Sequence, residues 1–159
     1  AVWCVLFVAA AVAHVVRLLF WQPFQTRHKP LLWMLPVAYA WIPIALLFRA
    51  AAMLPWGVSE TVAFHALTIG AMAALMIAMM TRSALGHTGR ELRAGNIEIS
   101  VFLLIQAAAI VRIVPGLIWP QQYRGFLTAS AALWTLAFIV FLWGYWSILC
   151  RPRIDGKPG

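Results

Sequence analysis

Residues 64–90 read FHALTIGAMAALMIAMMTRSALGHTGR. From Phe64 to about Thr81 the stretch is almost wholly apolar, and with the residues back to Glu60 it reaches the roughly 20 residues that a helix needs to cross a bilayer. His65 lies near one end, and the other end runs into the short polar segment Gly86-His87-Thr88-Gly89-Arg90. An ionisable side chain inside a membrane segment is costly unless it has a partner or a role. The small residues Gly70, Ala71, Ala73, Ala74 and Ala78 allow a neighbouring helix to approach closely. The rest of the chain is read as helices packed around this one.

Composition agrees with that reading. The chain is 64% hydrophobic and only 10% charged, with a mean hydropathy of +0.89, against about 45–50% apolar and about 25% charged in ordinary soluble domains. A backbone in lipid must satisfy its hydrogen bonds within its own segment, so helical spans follow. The fold class is therefore all-α, a polytopic transmembrane helical bundle forming a single domain. The nine Trp residues suit interfacial belts. The net charge of +8 comes from Lys and Arg in short loops between apolar runs. No basic face with a soluble fold behind it exists, so the expected partner is membrane lipid and not nucleic acid. Cys4 and Cys150, far apart in sequence, read as small hydrophobes. No nucleophile–base or paired-carboxylate arrangement is visible, which argues against hydrolytic catalysis and leaves enzyme status open.

Five spans are expected: the start of the chain to about Leu19, Leu31–Ala52, Glu60–Thr81, Ile99–Leu117 and Phe126–Leu149. Pro36 and Pro43 fall inside the second and should kink it. Leu54-Pro55-Trp56-Gly57 forms a turn, and Ser59 caps the third helix with Glu60 in its first turn. Pro115-Gly116 ends the fourth, and Glu91 and Glu98 read as loop charges. The chain begins Ala1-Val2-Trp3 inside an apolar run. It is read as the C-terminal part of a longer protein, whose missing N-terminal helices contribute partners to any site.

Lys and Arg set the orientation. Arg17, Arg27, Lys29, Arg82, Arg90, Arg93, Arg151, Arg153 and Lys157 fall on one side of the five spans, and only Arg49, Arg112 and Arg124 on the other. The richer side, which includes the 81–97 loop and the C-terminus, is assigned to the cytoplasm. His65 then lies about one turn inside the outer end of the third helix, and Arg112 lies at a similar depth in the fourth. His14 sits about one turn from the cytoplasmic end of the first helix, and His87 and His28 lie at or beyond that interface.

His65 and His87 are separated by roughly 33 Å of ideal helix at about 1.5 Å per residue, so they cannot share one metal ion if the segment is helical throughout. Two sites at different depths are expected, each open to a bland alternative. His65 either binds a ligand, with Arg112 beside it, or makes a helix–helix hydrogen bond. His14 is the candidate to join His87, with nitrogens within about 8 Å, the ring nitrogens flanking a metal at about 2 Å per bond. Arg112 either pairs with a carboxylate such as a haem propionate, since guanidinium and carboxylate match as a fork, or snorkels to the interface. Gly86 and Gly89 suit a tight turn that presents His87. His28, beside Arg27 and Lys29, reads as a solvated surface residue. The methionines Met72, Met76, Met79 and Met80 read as packing, although thioethers also favour Cu(I).

The pieces His65-Ala66-Leu67-Thr68, Gly70, Thr81-Arg82 and Leu85-Gly86-His87-Thr88-Gly89-Arg90, with the ending from Tyr145 to Gly159, resemble the NnrS family of bacterial membrane proteins. The resemblance covers essentially the whole chain. It implies a haem- and copper-containing protein of the bacterial inner membrane, linked to nitric oxide metabolism, denitrification and resistance to nitrosative stress. His65 and His87 fall at the family's motif histidines, which makes them the expected metal residues. Which of them serves haem and which copper stays open. The competing class is a transporter or structural membrane subunit whose histidines relay protons or pack. The absence of an internal repeat or of paired broken helices weighs against a transporter.

Overall fold

The structure is a computed structural model that describes residues 2–55, 57–119 and 123–156. Trp56 of the expected turn, the starting Ala1, and Lys157 to Gly159 of the tail lie outside the described residues. Five helices carry the chain: α1 (Val2–Phe20), α2 (Pro30–Ala51), α3 (Glu60–His87), α4 (Asn96–Ile118) and α5 (Tyr123–Leu149). A 3-10 turn at Pro23–Thr26 joins the first two. All five are long and apolar enough to cross a membrane, and no strand occurs among the described residues. The fold is all-α, as the composition requires.

The core lies among α2, α3, α4 and one face of α5. Met34, Ala38, Ala74, Ile77, Phe102, Ile105, Ala137 and Phe141 meet there. A second cluster of Ala45, Val62, Ala66, Ala109 and Ile113 fills the other end. The expected small residues of α3 are all buried, Gly70, Ala71, Ala73, Ala74 and Ala78 among them. Gly70 leaves room for the Trp41 side chain of α2, since a Cβ there would lie 2.5 Å from its ring. Helix α1 packs on α2 and buries only Ala11. Its other residues are half-buried or exposed.

The helix ends follow local chemistry. The Ser59 hydroxyl accepts from the Thr61 N–H at 3.3 Å, and Glu60 in the first turn pairs with Arg49 at 2.8 Å. Pro36 and Pro43 remain inside α2 and are buried. Three expectations are corrected. Helix α3 continues past Thr81 to His87. Helix α4 runs through Pro115 to Ile118, because a proline removes one backbone donor without forbidding the next residues from continuing. It also starts earlier, at Asn96, so Glu98 is no loop charge. Its carboxylate is buried, accepts from the Gly95 N–H at 2.7 Å and from the Tyr145 hydroxyl at 2.7 Å, and so caps α4 and fastens it to α5.

Tyr145→Phe should test this fastening. The substitution keeps the ring stacked on Phe141 but leaves Glu98 Oε1 buried without its donor. An orphaned buried polar group costs about 1–3 kcal/mol. We expect a lower midpoint of thermal unfolding in detergent, and an unchanged midpoint would remove Tyr145 from this role.

Candidate functional site

The site forms where α3, α4 and the start of α5 meet. His65 lies in the second turn of α3, counted from Glu60, and Arg112 lies in the second turn of α4, counted back from Ile118. Antiparallel neighbours counted from the same end reach the same depth, so the two side chains meet. Arg112 Nη2 lies 2.7 Å from His65 Nε2. A guanidinium only donates, so Nε2 is the acceptor and the imidazole is neutral, with its proton on Nδ1.

Two further features mark this corner. The residues directly after His65, Ala66–Ala73, form a π-helix, a rare conformation that occurs mostly as single turns inside α-helices and often at functional sites. In addition, Arg112 Nε and the Tyr123 hydroxyl are buried without a hydrogen-bond partner. The guanidinium sits over the Tyr123 ring, 5.0 Å from its centroid, a cation–π contact that helps to hold a charge in an apolar setting. Buried polar atoms are nearly always bonded, so each of these two donors is available to an acceptor.

His65 and Arg112 form part of the wall of a cavity of about 610 Å³ between α3, α4 and α5. Phe64, Met72, Met76 and Trp134 supply much of the remaining wall. Its size lies within the roughly 300–1,000 Å³ of ligand pockets, and an apolar wall with a few convergent polar groups is their usual make-up. Met72 and Met76 line the cavity and stay outside the buried core of the described residues. Met72 is 55% exposed and Met76 47%.

The other sequence candidates lie elsewhere. His14 Nδ1 is hydrogen-bonded to the Tyr39 hydroxyl of α2 at 2.5 Å, and Trp21 packs on that tyrosine ring. His14 and His87 share neither a hydrogen bond nor a ring contact. His87 is the exposed last residue of α3. The turn after it is tight. The Arg90 N–H reaches the Leu85 carbonyl at 2.9 Å, and Gly89 takes φ +74°, where glycine has no steric cost. The C-terminal tail rests on this turn, with the Ile154 N–H bonded to the Thr88 carbonyl at 3.3 Å and Asp155 against Gly89. His28 accepts from Arg27 Nε at 2.9 Å and is exposed.

Sequence reasoning passed over Tyr123, Tyr39 and the Trp41–Gln106 bond, in which the indole N–H donates to Gln106 Oε1 at 2.8 Å. A lone glutamine in the middle of a span was the available signal for the last of these.

Among the described residues, no three His, Cys, Asp or Glu side chains gather closely enough to hold a metal ion together. The family profile described as NnrS protein matches residues 1–153. No curated protein and no solved structure matches the chain.

Proposed function

Because the chain belongs to the NnrS family, we propose that it forms part of a haem- and copper-containing inner-membrane protein of the nitric oxide response, supporting denitrification and resistance to nitrosative stress. The observation that carries this reading is the His65–Arg112 pair in the wall of an apolar cavity.

The residues at this corner fit haem. Haem iron is commonly held by an imidazole, and its propionates take cationic or hydrogen-bonding partners. His65 would supply the imidazole. Arg112, whose Nε has no partner, and the Tyr123 hydroxyl would be donors for a propionate. Met72, Met76 and Trp134 would offer the ring apolar surface. Bound haem iron would supply a place for a diatomic gas such as nitric oxide.

Copper fits this chain less well. His87 is one exposed donor at the opposite end of α3, and the described residues offer it no cluster of further ligands. Copper at His87 therefore draws its other ligands from beyond these residues.

A purely structural reading also has an observation in its favour. His65 Nε2, the atom that would face a metal, already accepts from Arg112. In that reading the pair only ties α3 to α4. The absorption spectrum of the purified full-length protein separates the two: a Soret band supports the haem reading, and its absence from protein isolated with an adequate haem supply overturns it.

The side of the membrane is part of the same proposal. Nine of the 12 Lys and Arg residues lie on the side assigned to the cytoplasm, with the C-terminus. Reporter fusions after Gly95 and after Gly159 should give the same cytoplasmic signal, and opposite signals would sink the assignment.

A further inference from the structure

A second cavity, of about 720 Å³, opens at the other end of the bundle between the loop before α2 and the loop joining α3 to α4. We propose that it holds the phosphate of an anionic phospholipid, with the first acyl carbons against its apolar side. Lys29, Arg82 and Arg93 line the cavity, and Glu91 is the one carboxylate among its lining residues. Neither ion pair found among the described residues involves any of these four side chains. His28 also lines it, with its Nε2 accepting from Arg27, and Lys29, Arg82 and Arg93 supply the charge.

The first turn of α2 opens onto the same space. Pro30 has no N–H and the Leu32 and Trp33 N–H groups bond the Lys29 carbonyl, so this end offers an anion little direct hydrogen bonding, but the positive end of a 22-residue helix adds to the attraction. Leu31, Leu32 and Leu92 complete the wall. A free phosphate gains nothing from three leucines, whereas the glycerol and upper acyl chain of a lipid do. The cavity lies at the ends of membrane-length helices, where headgroups are found, and basic pockets between spans are known to take acidic lipid headgroups.

The test is native mass spectrometry of the full-length protein in mild detergent, titrated with phosphatidylglycerol, with phosphatidylcholine, and with phosphatidylglycerol in competition with inorganic phosphate. Phosphatidylglycerol should bind one-to-one and phosphatidylcholine should not compete. Each Lys or Arg near an anionic headgroup is worth roughly fivefold in affinity, so Arg82→Gln with Arg93→Gln should weaken binding about 25-fold. Arg82→Lys with Arg93→Lys should keep most of the affinity, since lysine binds phosphate as a point charge. That variant keeps the test valid if the glutamine pair fails to fold. Equal binding of both lipids, full binding by a folded glutamine variant, or loss of binding in the lysine variant would overturn the proposal. Displacement of the lipid by millimolar inorganic phosphate would assign the cavity to phosphate alone and remove the lipid.

Discussion

His65→Ala in the full-length protein is expected to lower haem content at least about tenfold. Losing a residue that merely supports a metal ligand typically costs about 10–100-fold in metal affinity, and His65 is placed here as the ligand itself. Haem measured per protein reads the effect directly. Arg112→Ala should lower it less, because it removes a propionate partner and leaves the imidazole in place. His87→Ala should leave haem intact and lower copper. If His65→Ala and His87→Ala both keep full haem and copper, these histidines are packing residues and the metal reading fails. The structural reading of the pair predicts a different pattern. His65→Ala and Arg112→Ala would then destabilise the bundle to similar extents and leave the spectrum unchanged.

Gly70→Leu is expected to abolish assembly of the bundle. A Cβ at this position already lies 2.5 Å from Trp41 Cδ2 and 2.6 Å from Cγ. The indole cannot easily retreat, because its N–H is held by Gln106 at 2.8 Å. Extra carbons in a packed interior cost about 1–3 kcal/mol. Gly70→Ala should therefore fold with a clearly lower thermal midpoint, and the three further carbons of leucine should exceed what the bundle tolerates. Shortening the opposing side chain with Trp41→Leu should recover part of the Gly70→Ala loss, with a coupling of about 0.5–3 kcal/mol as for residues in contact. A Gly70→Leu protein with the wild-type midpoint would show that α2 and α3 do not meet here.

The five spans were legible because their signals are redundant: apolar runs of spanning length, separated by loops that carry most of the cations. The meeting of His65 with Arg112 was legible for a simpler reason. Adjacent antiparallel helices share a depth scale, so counting turns from one membrane face brings the two residues level. Glu98 was not legible. A carboxylate at the edge of a span looks like a loop charge until its partner is known, and Tyr145 lies 47 residues further on. His14 was placed by depth alone, and its hydrogen-bond partner Tyr39 was not legible, because depth does not say which helices are neighbours. Tyr123 was hidden for the same reason: a tyrosine beside a charged residue near a helix start reads as an interfacial anchor. The π-helix has no composition of its own, and Ala66–Ala73 would serve equally well as an ordinary α-helix.

That π-helix has a consequence for how the chain tolerates change in length. Its bonds run from residue i to i+5, so it contains more residues than the α-turns it stands in for. Removing one residue between Ala66 and Ala73 would let the segment relax towards regular geometry, the locally favoured outcome. The flanking residues would then keep their facing, because the π-turn already accommodates one more residue than an α-turn. A deletion from a regular α-helical turn between His65 and the core would instead rotate everything before it by about 100°, the angle of one α-helical residue, and carry His65 away from Arg112. The irregular stretch thus gives α3 a place where its length can change by one residue while one half stays level with α4 and the other stays in register with the core.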